Sequence, residues 1–353
     1  MFWRKHKGLI KNIFFFILSF SLLIYVFNYL VDWKEITSSL SSLSYIYFIP
    51  IIGFTFLAFL IENFKLWIFA KKCGDISPWK LLPIFMTGVF FNAITPGARS
   101  GGELVRSYYL QKETGADSYK CTAVAYAASA TYALAFLIFA MISTVAVLFL
   151  VDIPQELSFA LILVGVTAVA VAIIIYFIYW KHHLLAQNSL FDAVLKMSYW
   201  IAKRHRYDSY ELYKAKVVMD FSRFVQKWAE MFTNKKMLAM SLGIDVFAIL
   251  LNYIKVVFIF MALGSFVNPF IIIAVTSVAN LVGFFLILPG GVGVTEASMI
   301  PLYISFGITP GLSAAVTLID RASYYFGTYV VGGMFFAFLS IKHHVWSQVK
   351  ANK

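Results

Sequence analysis

Two glycine- and proline-rich breaks inside hydrophobic surroundings carry the residues best suited to chemistry. The first runs from Asn92 through Pro96, Gly97, Arg99, Ser100, Gly101 and Gly102 to Glu103, with Arg106 three residues further on. Ser100 followed by Glu103 reads as a capping box, so a helix should start there. Its free N–H groups and positive dipole end face the break, and the glycines let a ligand approach the backbone. Arg99 and Arg106 add two fixed cations. A helix N-terminus flanked by arginines is a site for a phosphate. The plainer alternative is that Glu103 only caps while the arginines reach cytoplasmic headgroups.

The second break runs from Asn280 to Pro289, Gly290, Gly291, Gly293, Thr295 and Glu296. No arginine follows it directly. The cation comes from Asp320-Arg321, about ten residues inside the next apolar run and so roughly 15 Å deep at the helical rise. Ionisable groups at such depth are costly and usually functional. Neighbouring residues leave a helix in different directions, so Asp320 and Arg321 need not pair with each other. The structural alternative for Arg321 is an ion pair with Glu296 or Glu103. Asp245, Asn252 and Lys255 form a polar stripe on one face of another apolar run, suited to lining a cavity or to coupling. Glu62, Asn63 and Lys65 end an earlier run, where snorkelling to the interface is the stronger explanation.

The elements that hold these groups are set by composition. Of 353 residues, 61% are hydrophobic and 13% charged, far too little polar surface for a soluble protein of this size. The chain reads as an all-α polytopic membrane protein, a single integral membrane domain over 1–353. Apolar runs occur near 10–31, 43–64, 81–95, 121–150, 157–180, 237–263, 270–288 and 311–340. The first is too long for a signal-peptide core and reads as a retained span. The formal charge of +12 lies in linkers: 181–236 alone holds eleven Lys/Arg against five Asp/Glu. Basic linkers mark the cytoplasmic side, so the charge calls for no nucleic-acid partner. Cys73 and Cys121 and the six histidines form no metal spacing, and neither metal nor cofactor is expected.

Charge placement favours six full spans and two re-entrant segments, 81–95 entering from inside and 270–288 from outside, with both termini cytoplasmic. Eight full spans also keep both termini inside and remain open. On the first reading the chain divides into inverted pseudo-repeats, 1–156 and 157–345, the architecture of several transporters, whose sites lie at paired broken helices. The insert 181–236 contains Val217, Phe221, Phe224, Trp228 and Phe232 at helical spacing among Lys214, Lys216, Arg223 and Lys227. That helix suits either an anionic leaflet or a berth under the bundle.

The pattern Asn92-x3-Pro96-Gly97-x3-Gly101-Gly102-Glu103-x2-Arg106, then Leu288 through Gly293 with Glu296, then Asp320-Arg321, resembles the lysylphosphatidylglycerol-synthase transmembrane region, a flippase-like family. The resemblance covers essentially the whole chain. It implies lipid translocation across the cytoplasmic membrane, of an anionic phospholipid or a polyprenyl- or dolichyl-phosphate-linked carrier. About a dozen residues follow the last span, so no soluble synthase domain is expected and lipid aminoacylation gains no support. An intramembrane lipid-phosphate transferase using Glu103, Glu296 or Asp320 as base, and an ion-coupled small-solute transporter, are the alternatives. Membrane lipids are the expected partners, with self-association left open.

Overall fold

The computed structural model describes residues 32–95, 101–150, 209–285 and 291–351, together with scattered helical positions at 21, 24, 162–173 and 192–199. The expected spans at 10–31 and 157–180 therefore lie largely outside the described residues. So do Pro96, Gly97, Arg99, Ser100, Pro289 and Gly290.

Every regular element among the described residues is helical. Asp32 caps α1 (Trp33–Ser41), its side chain accepting from the Lys34 N–H. A short 3-10 turn leads into α2 (Phe48–Ala70). Ser77 as cap and Pro78 in the first turn then start α3 (Pro78–Ile94). After the first break come α4 (Gly101–Thr114) and the long α5 (Ser118–Leu150). Ser209 caps α6 (Tyr210–Thr233), and Asn234 alone separates α6 from α7 (Lys235–Ala262) while capping it through the Met237 N–H. Then α8 (Pro269–Phe285), the second break, α9 (Val294–Ser305) and α10 (Pro310–Tyr325) follow. A π-helical segment, Phe326–Val331, joins α10 to α11 (Gly332–Ala351).

Four of these stretches are long and apolar enough to cross a membrane: Tyr45–Ala70, Ser118–Ile142, Lys235–Ala262 and Pro310–His343. The protein is an all-α polytopic membrane protein. By contrast α3 and α8 have 17 residues each, about 26 Å and short of a ~30 Å hydrocarbon core. At both breaks the chain reverses and the two short helices pack on each other. One order therefore occurs twice: long helix α2, hairpin α3–α4, long helix α5, then long helix α7, hairpin α8–α9, long helix α10.

Glycines permit both reversals. A Cβ on Gly102 would lie 2.1 Å from the Gly88 carbonyl oxygen, and one on Gly88 would lie 2.2 Å from Arg106 Nε. In the second hairpin a Cβ on Gly283 would lie 2.6 Å from Thr295 Oγ1. Gly291 and Gly293 have φ of +70° and +83°, the left-handed region that other residues enter at a cost.

The apolar core has two main parts. One joins Leu66, Phe69, Ile84, Phe85, Leu110 and Val124 around the first hairpin. The other joins Val256, Phe260, Ile272, Met299, Tyr303 and Val316 around the second. Helix α6 packs on α5 and α7 through part of its apolar face. Phe224 meets the Tyr126 ring at 6.0 Å, and Trp228 and Phe232 join the first core.

The Gly88–Gly102 crossing makes a specific demand. Gly102→Ala pushes a methyl into backbone and should destabilise by about 1–3 kcal/mol, the usual cost of overpacking. Gly115→Ala, at a position with open space but positive φ, isolates the backbone cost alone. Thermal unfolding in detergent micelles compares the two, and a Gly102→Ala transition at the wild-type temperature would contradict the close crossing.

Candidate functional site

Between the two hairpins lies a cavity of about 1320 Å³. Its lining draws on α2 (Phe59, Glu62, Lys65), the first hairpin (Asn92, Glu103, Arg106) and α5 (Ser129, Tyr132). From the second half come Asn252 and Lys255 of α7, Asn280 of α8, and Asp320 and Arg321 of α10. Helix α6 closes one end through Phe221, Arg223, Phe224 and Trp228, beside Asp117 and Tyr119 at the start of α5. Residues that sequence reading placed at two separate breaks and on two further helices thus face one space.

At the first break the helix start is capped from across the hairpin. Asn92 Oδ1 accepts from the Gly102 N–H at 2.6 Å, while Asn92 Nδ2 donates to Glu103 Oε1 at 3.2 Å. Ser129 of α5 donates to the same carboxylate oxygen at 2.7 Å. Glu103 is buried, and Arg106 is its ion-pair partner at 3.6 Å, too long for a hydrogen bond. The Arg106 guanidinium lies 4.6 Å from the Phe85 ring centre, and its Nε has no hydrogen-bond partner. Of the buried cations here, Arg106 has the loosest partner.

The second break repeats the device with other residues. Glu296 Oε2 accepts from the Gly293 N–H at 2.8 Å, and the Tyr325 hydroxyl donates to Glu296 Oε1. In each half the glutamate that opens the helix after the break is thus held by a hydroxyl from the following long helix, Ser129 or Tyr325. Gly291, Gly293 and Glu296 support the hairpin and do not line the cavity.

Arg321 corrects an expectation. Its Nε and Nη2 both donate to Asp320 Oδ2, at 3.0 and 2.7 Å, so the adjacent residues do pair, and its partner is neither Glu296 nor Glu103. The guanidinium is long enough to bend back around the helix, and inside an apolar bundle the nearest carboxylate wins. Asp320 Oδ1 takes Lys255 of α7 at 2.7 Å. One carboxylate therefore sits between two cations, with Asp320 and Lys255 buried and Arg321 partly exposed.

Lys65 is the second correction. It does not snorkel: it is 2% exposed, and its ammonium donates to Asp245 of α7 at 2.5 Å. The partner lies 180 residues away, so no local pattern could reveal it. The expected Asp245–Asn252–Lys255 stripe does face inward, but its members divide. Asp245 pairs with Lys65, Lys255 pairs with Asp320, and Asn252 donates to its own helix at Ala248 O. Ser129, Tyr325 and Gly88 were also missed. An ordinary serine, tyrosine or glycine inside an apolar run carries no signal until its partner is placed.

The family model for the lysylphosphatidylglycerol synthase TM region matches residues 12–332. Among curated proteins, a UPF0104 membrane protein of Methanothermobacter thermautotrophicus is 28% identical over 70% of this chain and 71% of its own. One from Methanocaldococcus jannaschii is 28% identical over 74% of each chain. One from Pyrococcus horikoshii is 23% identical over 74% of this chain and 77% of its own.

The one-acid, two-cation arrangement predicts unequal costs. Asp320→Asn strands two buried cations and should cost about 3–5 kcal/mol, the penalty for breaking a buried pair. Lys255→Met leaves Asp320 paired with Arg321 and should cost clearly less. Equal losses in chemical or thermal unfolding would contradict the shared carboxylate.

Proposed function

The chain belongs to the lysylphosphatidylglycerol synthase TM region family, and on that premise we propose that it moves a lipid with an anionic phosphate headgroup between leaflets of the cytoplasmic membrane. The substrate class is an anionic phospholipid or a polyprenyl- or dolichyl-phosphate-linked carrier. The observation that carries this reading is the cavity itself. It gathers Arg106, Lys255 and Arg321 from both halves of the chain into one space. At about 1320 Å³ it also exceeds the ~300–1,000 Å³ of ordinary small-molecule pockets.

In this reading the two hairpins are re-entrant segments of inverted pseudo-repeats, 1–156 and 157–345, and both termini face the cytoplasm. Polar backbone at membrane depth is tolerated where protein or a wet cavity supplies partners, and Asn92, Glu296 and the glycine turns supply them here. The phosphate is first held by Arg106, whose carboxylate partner is loosest, beside the N-terminus of α4. Transfer to Arg321 then exchanges one cation for another without leaving the anion bare. The binding residues proposed are Asn92, Glu103, Arg106, Asn280, Asp320 and Arg321, while Gly101 and Gly102, which do not line the cavity, are assigned to the close packing of the first hairpin. Pro96, Gly97, Arg99, Pro289 and Gly290 are assigned to the breaks on sequence grounds, and Gly291, Gly293 and Glu296 are assigned to holding the second one.

Proteoliposomes carrying acyl-chain-labelled phosphatidylglycerol provide the test, with outer-leaflet label destroyed by a membrane-impermeant reductant. Wild-type protein should expose inner-leaflet label, and Arg106→Ala and Arg321→Ala should each slow that exposure at least tenfold. Thermal shift against lipids and against inorganic phosphate separates a lipid translocase from a transporter of soluble anions. Folded protein that leaves every anionic lipid's distribution unchanged overturns the proposal.

A further inference from the structure

Two ion-pair clusters in and beside the cavity are unbalanced and opposite in sign. Lys255, Arg321 and Asp320 sum to +1. On the neighbouring wall Lys65 is shared by two carboxylates, Asp245 at 2.5 Å and Glu62 at 3.8 Å, which sum to −1. Arg106 with Glu103 is neutral. The two unbalanced groups are tied to the same helix: Asp245 and Lys255 are ten residues apart on α7, roughly 15 Å.

We propose that Glu62, Lys65 and Asp245 form a proton-coupling site, which takes up one proton when the cavity takes up an anionic headgroup. This rests on the reading of the cavity as an anion-binding space. An anion at Arg321 cancels the +1 group and leaves the cavity with the uncompensated −1 of the other. A proton from water on the Asp245 carboxylate restores neutrality. No other bond forms or breaks, and Lys65 remains an ammonium.

The geometry provides for both states. Asp245 is fully buried, and its Oδ2 has no hydrogen-bond partner, so it is an oxygen with room for a proton. Lys65 has a second acceptor ready, because Glu62 lies one turn away on its own helix and faces the cavity. When Asp245 is neutral, the ammonium shifts to Glu62, and the tie between α2 and α7 is released. Among the described residues, the charges acting on Asp245 are Lys65 and Glu62 of α2. Helix α5 contributes Thr131 and Tyr132, whose ring lies 5.5 Å from Lys65 Nζ, and α8 carries no charged side chain. On α10 Asp320 and Arg321 are engaged with Lys255 and each other. A unit charge roughly 15 Å away, at an effective dielectric of about 20, changes proton affinity by roughly sixfold. That is enough to link the two events without locking them together.

The first measurement needs no lipid. Infrared difference spectra of the purified protein between high and low pH should show a protonated-carboxyl band that is missing in Asp245→Asn. Lys65→Gln, which removes the competing cation, should bring the band in at higher pH. The double variant Lys65→Gln, Asp245→Asn keeps the site at its net charge of −1 and controls for folding. The second measurement adds phosphatidylglycerol in mixed micelles to lightly buffered protein, with native mass spectrometry reporting binding. Wild type should take up close to one proton per bound lipid, and Asp245→Asn should bind lipid with no uptake. A band unchanged in Asp245→Asn, or equal uptake by wild type and variant, overturns the coupling site. So does dependence on sodium in place of protons. Absence of lipid binding by every variant counts against the transport reading, and the infrared band then decides the site separately.

Discussion

The structure turns on the cost of placing charge in an apolar bundle. Asp320 carries most of that burden, since its two oxygens hold Lys255 from the preceding long helix and Arg321 from its own. Moving such groups out of water costs several kcal/mol per ion, and their attraction repays this only in good geometry. Replacing the triad by well-packed apolar side chains would satisfy a static bundle equally well. On the proposed reading, its presence is better explained by anion binding in the cavity than by stability. The same holds for Lys65 with Asp245, where an ammonium is buried at the end of an apolar helix that offers it an easier route to the interface.

Backbone obeys the same constraint as side chains. Each short hairpin leaves helix ends inside the bundle, and each satisfies them locally. Asn92 reaches across to the Gly102 N–H, and Glu296 turns back to the Gly293 N–H. These caps require the two helices of a hairpin to approach until a Cβ would collide with a carbonyl oxygen or a threonine hydroxyl. Gly88 and Gly283 thus belong to the caps as much as the polar residues do. The glutamates are in turn fixed by hydroxyls on the next long helix, so break, cap and long helix form one mechanical unit in each half.

How much of this was legible follows from what a pattern can encode. The breaks, the helix starting beside Glu103 and the depth of Asp320 and Arg321 are local features, and composition with spacing exposes them. The inward stripe on α7 is also local, because Asp245, Asn252 and Lys255 return to one side at helical period. Partners are not local. The stripe predicted a face and could not say that Asp245 meets Lys65 while Lys255 meets Asp320. Lys65 was misread because a lysine near the end of an apolar run has an interfacial explanation that needs no partner. The Asp320–Arg321 pairing stays open in the sequence because adjacency on a helix is weighed by Cβ direction, whereas a guanidinium on three methylenes can turn back.

The division of labour between the halves follows from the same groups. The first hairpin carries its own cation, Arg106, packed against Gly88 and loosely paired. The second hairpin carries none and relies on Arg321 of α10. In the proposed translocation a mobile anion is served by such inequality. Two equally exposed cations would hold it at both ends, while one loose pair and one tightly shared carboxylate give it an entry point and a displaceable partner. Displacing Arg321 from Asp320 leaves Lys255 behind to neutralise the acid, so the exchange strands no carboxylate. On the proposed reading, the second cation on Asp320 is what makes Arg321 available to a substrate.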